Sequence, residues 1–243
     1  MQKAHPSNNP LLMDPRHRQK TQAVYLILTG IFISALVTSN LIFQKFFHWD
    51  VGFHVFELSV GILPYPVTFF VTDVISELYG RKKANQVVLA GLFASLFTLG
   101  IILVSDAAVA APWSPISDTQ FHTMFGVTFI GVGASMAAYL CAQLIDVQLF
   151  HFWKRLTRGR HLWLRNNAST FTSQFVDTAL TLILLCSFGV LDWERFWVLL
   201  WNGFFFKVLV AISDTPLIYV TVWWARRYLG LQGDGVEIPE EAS

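Results

Sequence analysis

Charge is scarce in this chain. Asp, Glu, Lys and Arg make up 14% of its 243 residues, against about 25% in soluble domains, and that excludes an ordinary water-exposed domain. Cysteine is nearly absent. Cys141 and Cys186 are the two present, both within apolar segments and with no CxxC, so thiolate metal chemistry is not expected. The seven histidines are scattered and form neither HxxxH nor HExxH, so neither metal nor cofactor is expected. No GxxxxGK[ST] phosphate loop occurs, which argues against ATP hydrolysis by this chain. GxSxG, paired histidines, Ser–His spacing and GxGD are all missing; a membrane-embedded hydrolase would need such a nucleophile–base pair or acid dyad. An enzyme is therefore not expected. The net charge of +1 implies no nucleic-acid partner.

What is abundant is apolar surface. Hydrophobic residues make up 54% of the chain, with 22 Phe and 9 Trp. The expected fold class is an all-α integral membrane protein with six transmembrane helices. A helix rising about 1.5 Å per residue needs about 20 apolar residues to cross a core of about 30 Å. Spans are expected at Ala23–Phe43, Val51–Tyr79, Ala84–Val104, Met124–Phe150, Asn167–Val190 and Phe196–Trp224. The first is longer than a signal-peptide core and lacks a small-residue cleavage site. The second is expected to be broken near Pro64–Pro66 and to restart at Pro66, where a missing N–H costs nothing. The fourth carries the small-residue pairs Gly131/Ser135 and Ala134/Ala138, which let helices approach closely. Residues 1–22 and 229–243 read as disordered cytoplasmic tails flanking a transporter domain at 23–228. Six spans divide into three plus three, which leaves an inverted-repeat arrangement open on geometry, although the halves show no sequence repeat.

With the N-terminus inside, fourteen of the seventeen Lys and Arg fall in cytoplasmic segments. Lys45 and Arg195 fall outside and Lys207 within a helix. That asymmetry predicts both termini in the cytoplasm and a location in the cytoplasmic (inner) membrane. Trp153, Trp163, Trp193, Trp197, Trp223 and Trp224 sit at span ends, as interfacial belts do in contact with lipid.

Asp73, Glu77, Asp146, Asp177, Lys207 and Asp214 stand in or near these spans. A charge at the bilayer centre costs about 2.5–3.5 kcal/mol on insertion scales, so these groups must face each other, water or a ligand. Counted from the nearest basic anchor, Glu77 lies about 6 Å deep, Asp73 and Asp146 about 12 Å, and Asp177 and Asp214 about 18 Å. Asp73 and Glu77, four residues apart, stack on one helix face. In the fifth span Asn166, Thr170, Ser173, Gln174, Asp177 and Thr181 also share one face, a polar stripe that lines either a cavity or a helix–helix seam. Plainer readings pair Glu77 with Arg81, Asp146 with the basic loop after it, and Lys207 with Asp214. Asp73 and Asp177 have no basic neighbour within a helical turn. Tyr65, Phe69 and Phe70 could stack on a flat ligand.

Two stretches carry a resemblance. Pro66-Val-Thr-Phe-Phe-Val-Thr-Asp73-Val-Ile-Ser-Glu77-Leu-Tyr-Gly80-Arg-Lys-Lys-Ala84 is similar to the signature of the YhhQ-like queuosine precursor transporters, the vitamin uptake transporter family. Leu162-Trp-Leu-Arg165-Asn166-Asn167-Ala-Ser169-Thr170, followed by Ser173-Gln174-Phe-Val-Asp177-Thr178, resembles that family's second signature. Ala134-Ser135 and Gln143-Leu-Ile-Asp146 also fit, and the likeness covers roughly residues 23–228.

The resemblance implies import of 7-cyano-7-deazaguanine and its aminomethyl relative, for queuosine synthesis in tRNA. A carboxylate can accept two parallel N–H donors of a guanine-like edge, and Asn or Gln can satisfy its carbonyl and ring nitrogens. The expected substrate-binding residues are accordingly Asp73, Glu77, Gln174 and Asp177, supported by Asn40 and Gln143. Asp146, Lys207 and Asp214 are expected to be coupling or structural ion-pair groups. Proton coupling and a homo-oligomer stay open. The alternative is a substrate-capture subunit of an ATP-driven uptake system for a vitamin-like heterocycle.

Overall fold

The computed structural model describes residues 15–52, 54–156 and 162–229. Within its helices, the side chains of Arg81, Gln143, Asp146 and residues 162–170, among others, lie outside the described set. The elements in chain order are helix α1 (Pro15–Ile42), strands β1 (Phe46–Asp50) and β2 (Val55–Ser59), helices α2 (Tyr65–Asp106), α3 (Asp118–Phe125), α4 (Thr128–Leu156), α5 (Leu162–Ser187) and α6 (Phe196–Tyr228). The fold is thus mostly helical, as expected. Among the described residues, four helices are long and apolar enough to cross a membrane by length and composition, at Arg18–Ile42, Lys82–Asp106, Asp118–Tyr139 and Trp193–Tyr228.

Helix α1 opens at Pro15, a residue suited to the first turn, so it takes in the last residues of the stretch 1–22 read as a tail. Residues 1–14 and 230–243 lie outside the described residues. The break expected near Pro64–Pro66 is present, with α2 beginning at Tyr65. One expectation needs correction. The second crossing expected over Val51–Tyr79 is not one helix. Its first part belongs to an antiparallel hairpin with Phe47 opposite Leu58, His48 opposite Glu57 and Trp49 opposite Phe56. Helical φ/ψ then stops again at Gly80, with φ 82° and ψ 165°. Between Tyr65 and Tyr79 the helix spans about 22 Å at 1.5 Å per residue, short of a core of about 30 Å.

The chain divides into two compact units. The first holds the described residues of Met1–Thr38, Pro64–Ala94 and Ile212–Ser243. Its core is Phe32, Val71, Val74, Ile75, Leu78 and Tyr79 with Val87 and Ala225. Val71, Val74, Ile75 and Leu78 recur at three- and four-residue steps, which puts them on one helix face. Asp73 and Glu77 fall on the opposite, exposed side. Tyr79 donates its hydroxyl to the Thr21 carbonyl at 2.8 Å, and Lys83 lies over the Tyr25 ring at 5.3 Å.

The second unit holds Ser39–Leu63 and Ser95–Ala211. The hairpin turns its apolar face inward, burying Phe56 and Leu58 with Phe206. Its other face carries Glu57 between His48, at 3.7 Å, and Arg195, at 3.4 Å. His54, in the turn, donates from Nε2 to the buried Asn202 Oδ1 at 2.8 Å. Helix α3 is closed by a reciprocal Ser117–Gln120 capping box, and His122 Nδ1 holds Asp106 Oδ2 at 2.7 Å. Helices α4 and α5 pack along one another.

Candidate functional site

The most sharply defined polar arrangement lies in the second unit, where α5 meets α6. Gln174, Asp177 and Thr178 follow one another at three- and four-residue spacing on α5, and Gly203 and Lys207 are one turn apart on α6. Each set therefore occupies one face of its helix. The two faces are close there: a Cβ at Gly203 would stand 3.4 Å from Thr178 Cγ2, in van der Waals contact. One turn further along α6, Lys207 Nζ donates to Asp177 Oδ2 at 2.8 Å.

The two charges are not equally accessible. The Asp177 side chain is 24% exposed, that of Lys207 8%. The carboxylate is thus the group a ligand can reach, and the ammonium sits behind it. Gln174 Oε1 is buried without a hydrogen-bond partner, a costly state for an amide oxygen. The Thr178 hydroxyl donates to the Gln174 backbone carbonyl at 2.9 Å. Tyr139 of α4 lies within electrostatic reach of Asp177. Elsewhere on the same two helices, the Phe175 ring packs edge-on to Phe204, with centroids 5.4 Å apart, lies 5.9 Å from Trp201 and joins the apolar cluster of Leu182 and Leu200. The polar arrangement offers a carboxylate acceptor and an amide oxygen awaiting a donor.

A second polar group belongs to the first unit. Asp73 and Glu77 are exposed on one side of their helix, and Glu77 and Asp214 each lie within electrostatic reach of Asp73. These are three carboxylates in otherwise apolar sequence. The Tyr65 and Phe69 rings touch in a tilted arrangement, with centroids 4.4 Å apart. Phe70 does not join them, because it packs against the apolar core of the first unit.

Of the expected binding residues, Gln174 and Asp177 are therefore one turn apart in the second unit, and Asp73 and Glu77 one turn apart in the first. Asn40 is half-buried near the end of α1, in the second unit. The side chains of Gln143 and Asp146 lie outside the described residues, as do those of Asn166 and Thr170. Lys207 pairs with Asp177, a partner not assigned to it from the sequence. Asp177 has a basic partner after all, thirty residues away on another helix, where spacing within one helix cannot reveal it. Tyr139, Thr178 and Gly203 were not singled out as site residues. Their only advance signal was that each lies at helical spacing from a polar residue.

Comparison with known proteins gives the arrangement a context. Residues 59–221 match a family described as "putative vitamin uptake transporter". A probable queuosine precursor transporter of Bacillus subtilis (strain 168) is 29% identical over 162 residues, covering 66% of this chain and 70% of the relative. A protein of the same description from Haemophilus influenzae is 26% identical over 124 residues, covering 51% of this chain and 49% of the relative. No solved structure matches. The match runs from the end of the hairpin through both polar groups to the last turns of α6, and it covers well over half of the chain. With its long apolar helices, the chain is a multi-pass membrane protein and belongs to the putative vitamin uptake transporter family, a family of transporters rather than enzymes.

Proposed function

We propose that this protein imports queuosine precursors of the 7-deazaguanine type across the cytoplasmic membrane, with both termini inside, and that Asp177 and Gln174 contact the heterocycle. The observation that carries this reading is the part-exposed Asp177 carboxylate, hydrogen-bonded by Lys207, one turn from an amide oxygen that lacks a donor. A guanine-like edge supplies adjacent N–H donors. The carboxylate accepts two of them, and Gln174 Oε1 accepts a further one or turns its amide to a ring nitrogen. The names of the relatives support the substrate class. Asp73, Glu77 and Asp214 are assigned to attracting the substrate or carrying a coupling proton.

The test is binding. 7-Cyano-7-deazaguanine should raise the thermal unfolding temperature of the detergent-purified protein, and Asp177→Asn should weaken that binding by about 100-fold, the loss expected for a charge-assisted hydrogen bond of about 1.5–3 kcal/mol in a desolvated place. Equal binding by wild type and a folded Asp177→Asn would remove Asp177 from the site.

A further inference from the structure

We propose that the end of the first unit where α1 begins and α6 finishes binds an anionic phospholipid, with Lys20 and Arg227 holding the headgroup phosphate. Both cations are exposed, and both lie over aromatic rings. Lys20 Nζ of α1 is 5.5 Å from the centre of the Tyr228 ring on α6, and the Arg227 guanidinium is 5.6 Å from that of Trp223. Trp224 stacks on Tyr228, with centroids 5.6 Å apart and planes 8° apart. Trp223 and Arg227 are one turn apart, as are Trp224 and Tyr228, so the two contacts cover neighbouring strips of the last turns of α6. A cation–π contact orients a cation and leaves its charge in place. Among the described residues, neither cation forms an ion pair with a carboxylate, and the stretches 15–31 and 215–229 contain no Asp or Glu.

The surroundings fit a lipid rather than a soluble anion. On α1 the exposed Leu26 and Ile27 follow Lys20, and on α6 the exposed Leu217 and Val220 precede the two tryptophans. Lys20 to Leu26 is about 9 Å along its helix and Arg227 to Val220 about 10.5 Å, at about 1.5 Å per residue. Both helices thus run from cation through aromatic ring to aliphatic surface. A phospholipid has the same order: phosphate, ester region, acyl chain. Trp and Tyr settle at the middle level, where an apolar body and a polar edge are both satisfied. The charge chooses the headgroup. A net negative lipid meets two cations, whereas the ammonium of a zwitterionic one is repelled by them. Binding depends on neither Asp177 nor the transported substrate, so it stands or falls apart from the proposed function. Only the leaflet, the inner one, follows from the orientation proposed above.

The test titrates the full chain, purified in detergent, with phosphatidylglycerol or phosphatidylcholine of the same acyl chains. The rise in thermal unfolding temperature gives an apparent affinity for each, and the readout is their ratio. Wild type should prefer phosphatidylglycerol by about 25-fold, about fivefold for each cation near an anionic headgroup. Lys20→Gln and Arg227→Gln should each leave about fivefold, and the double variant should show almost no preference. Lys45→Gln, an exposed lysine of the second unit, should keep the wild-type ratio. Should the double variant fail to fold, the single variants give the reading. Equal affinity of the wild type for the two lipids, or a wild-type ratio in the folded double variant or in both single variants, overturns the proposal. So does inorganic phosphate that protects as well as phosphatidylglycerol at the same concentration, which would mark a site for a soluble anion.

Discussion

The ring of Phe43 occupies the space that a side chain at position 131 would need: a Cβ built on Gly131 would collide with the ring carbons Cζ and Cε1. Gly131 belongs to the small-residue run of α4, whose spacing suggested close approach of another helix. Here the small residue receives an aromatic ring from the segment that follows α1, within the second unit. Gly131→Ile should therefore destabilise the protein by about 1–3 kcal/mol through overpacking. Phe43→Ala should relieve most of that loss in the double variant. Thermal unfolding of the four proteins in detergent measures the coupling. Additive losses would mean that the ring and the glycine are independent.

Gly80 should resist substitution for a different reason. Its φ of 82° and ψ of 165° lie where essentially only glycine is at ease, and other residues pay about 1–3 kcal/mol. Gly80→Ala should lower the unfolding temperature by an amount of that order. The helix bearing Asp73 and Glu77 ends at this joint, so uptake should fall along with stability. An unchanged melting curve would show that the backbone there can relax to a helical turn.

How much of this was legible in sequence depended on the range of the interaction. The ends of α6 and of the α2 segment after Gly80 followed from apolar length and basic flanks, because burial in lipid is set by local composition. The hairpin was missed for the same reason. Phe46–Ser59 is apolar enough to merge with its neighbours in a hydropathy window, yet Phe47 and Trp49 alternate with His48 and Asp50, Phe56 and Leu58 alternate with Val55 and Glu57, and Gly52 sits between the runs. That period of two is a strand pattern. Asp177 and Gln174 stood out as a polar stripe because they share a helix. Their partner Lys207 could not, because an interhelical contact leaves no periodicity in the chain.

The contact between His54 and Asn202 fastens the hairpin turn to α6 at 2.8 Å. Asn202 is buried, so Asn202→Ala removes the acceptor and leaves a small void. We expect a loss of about 1–2 kcal/mol and, more specifically, faster amide hydrogen exchange in residues 46–59, with α1 and the first part of α2 unaffected. Exchange rates in the hairpin that match wild type would show that Phe56 and Leu58 hold it without the hydrogen bond.

Two carboxylates, Glu77 and Asp214, within reach of Asp73 should oppose the folded state of the first unit. Asp214→Asn removes one like charge from Asp73 and should raise stability by up to about 1 kcal/mol, the scale of an exposed charge pair at a few ångströms. If these acids serve transport, uptake should fall in the same variant, the usual trade between stability and function. A variant that loses stability and keeps full uptake would assign Asp214 a structural role instead.

The central claim is that Asp177 carries the substrate contact in a self-sufficient importer. It is tested most directly by uptake of labelled 7-cyano-7-deazaguanine into proteoliposomes containing the purified wild type or Asp177→Asn, with and without a pH gradient. The account expects accumulation or equilibration by the wild type and a loss of about 100-fold in initial rate for the variant at low substrate, equivalent to about 2.7 kcal/mol. Stimulation by the gradient would add proton coupling. Wild-type rates in a folded Asp177→Asn, or no uptake by a folded wild type in either condition, would contradict it.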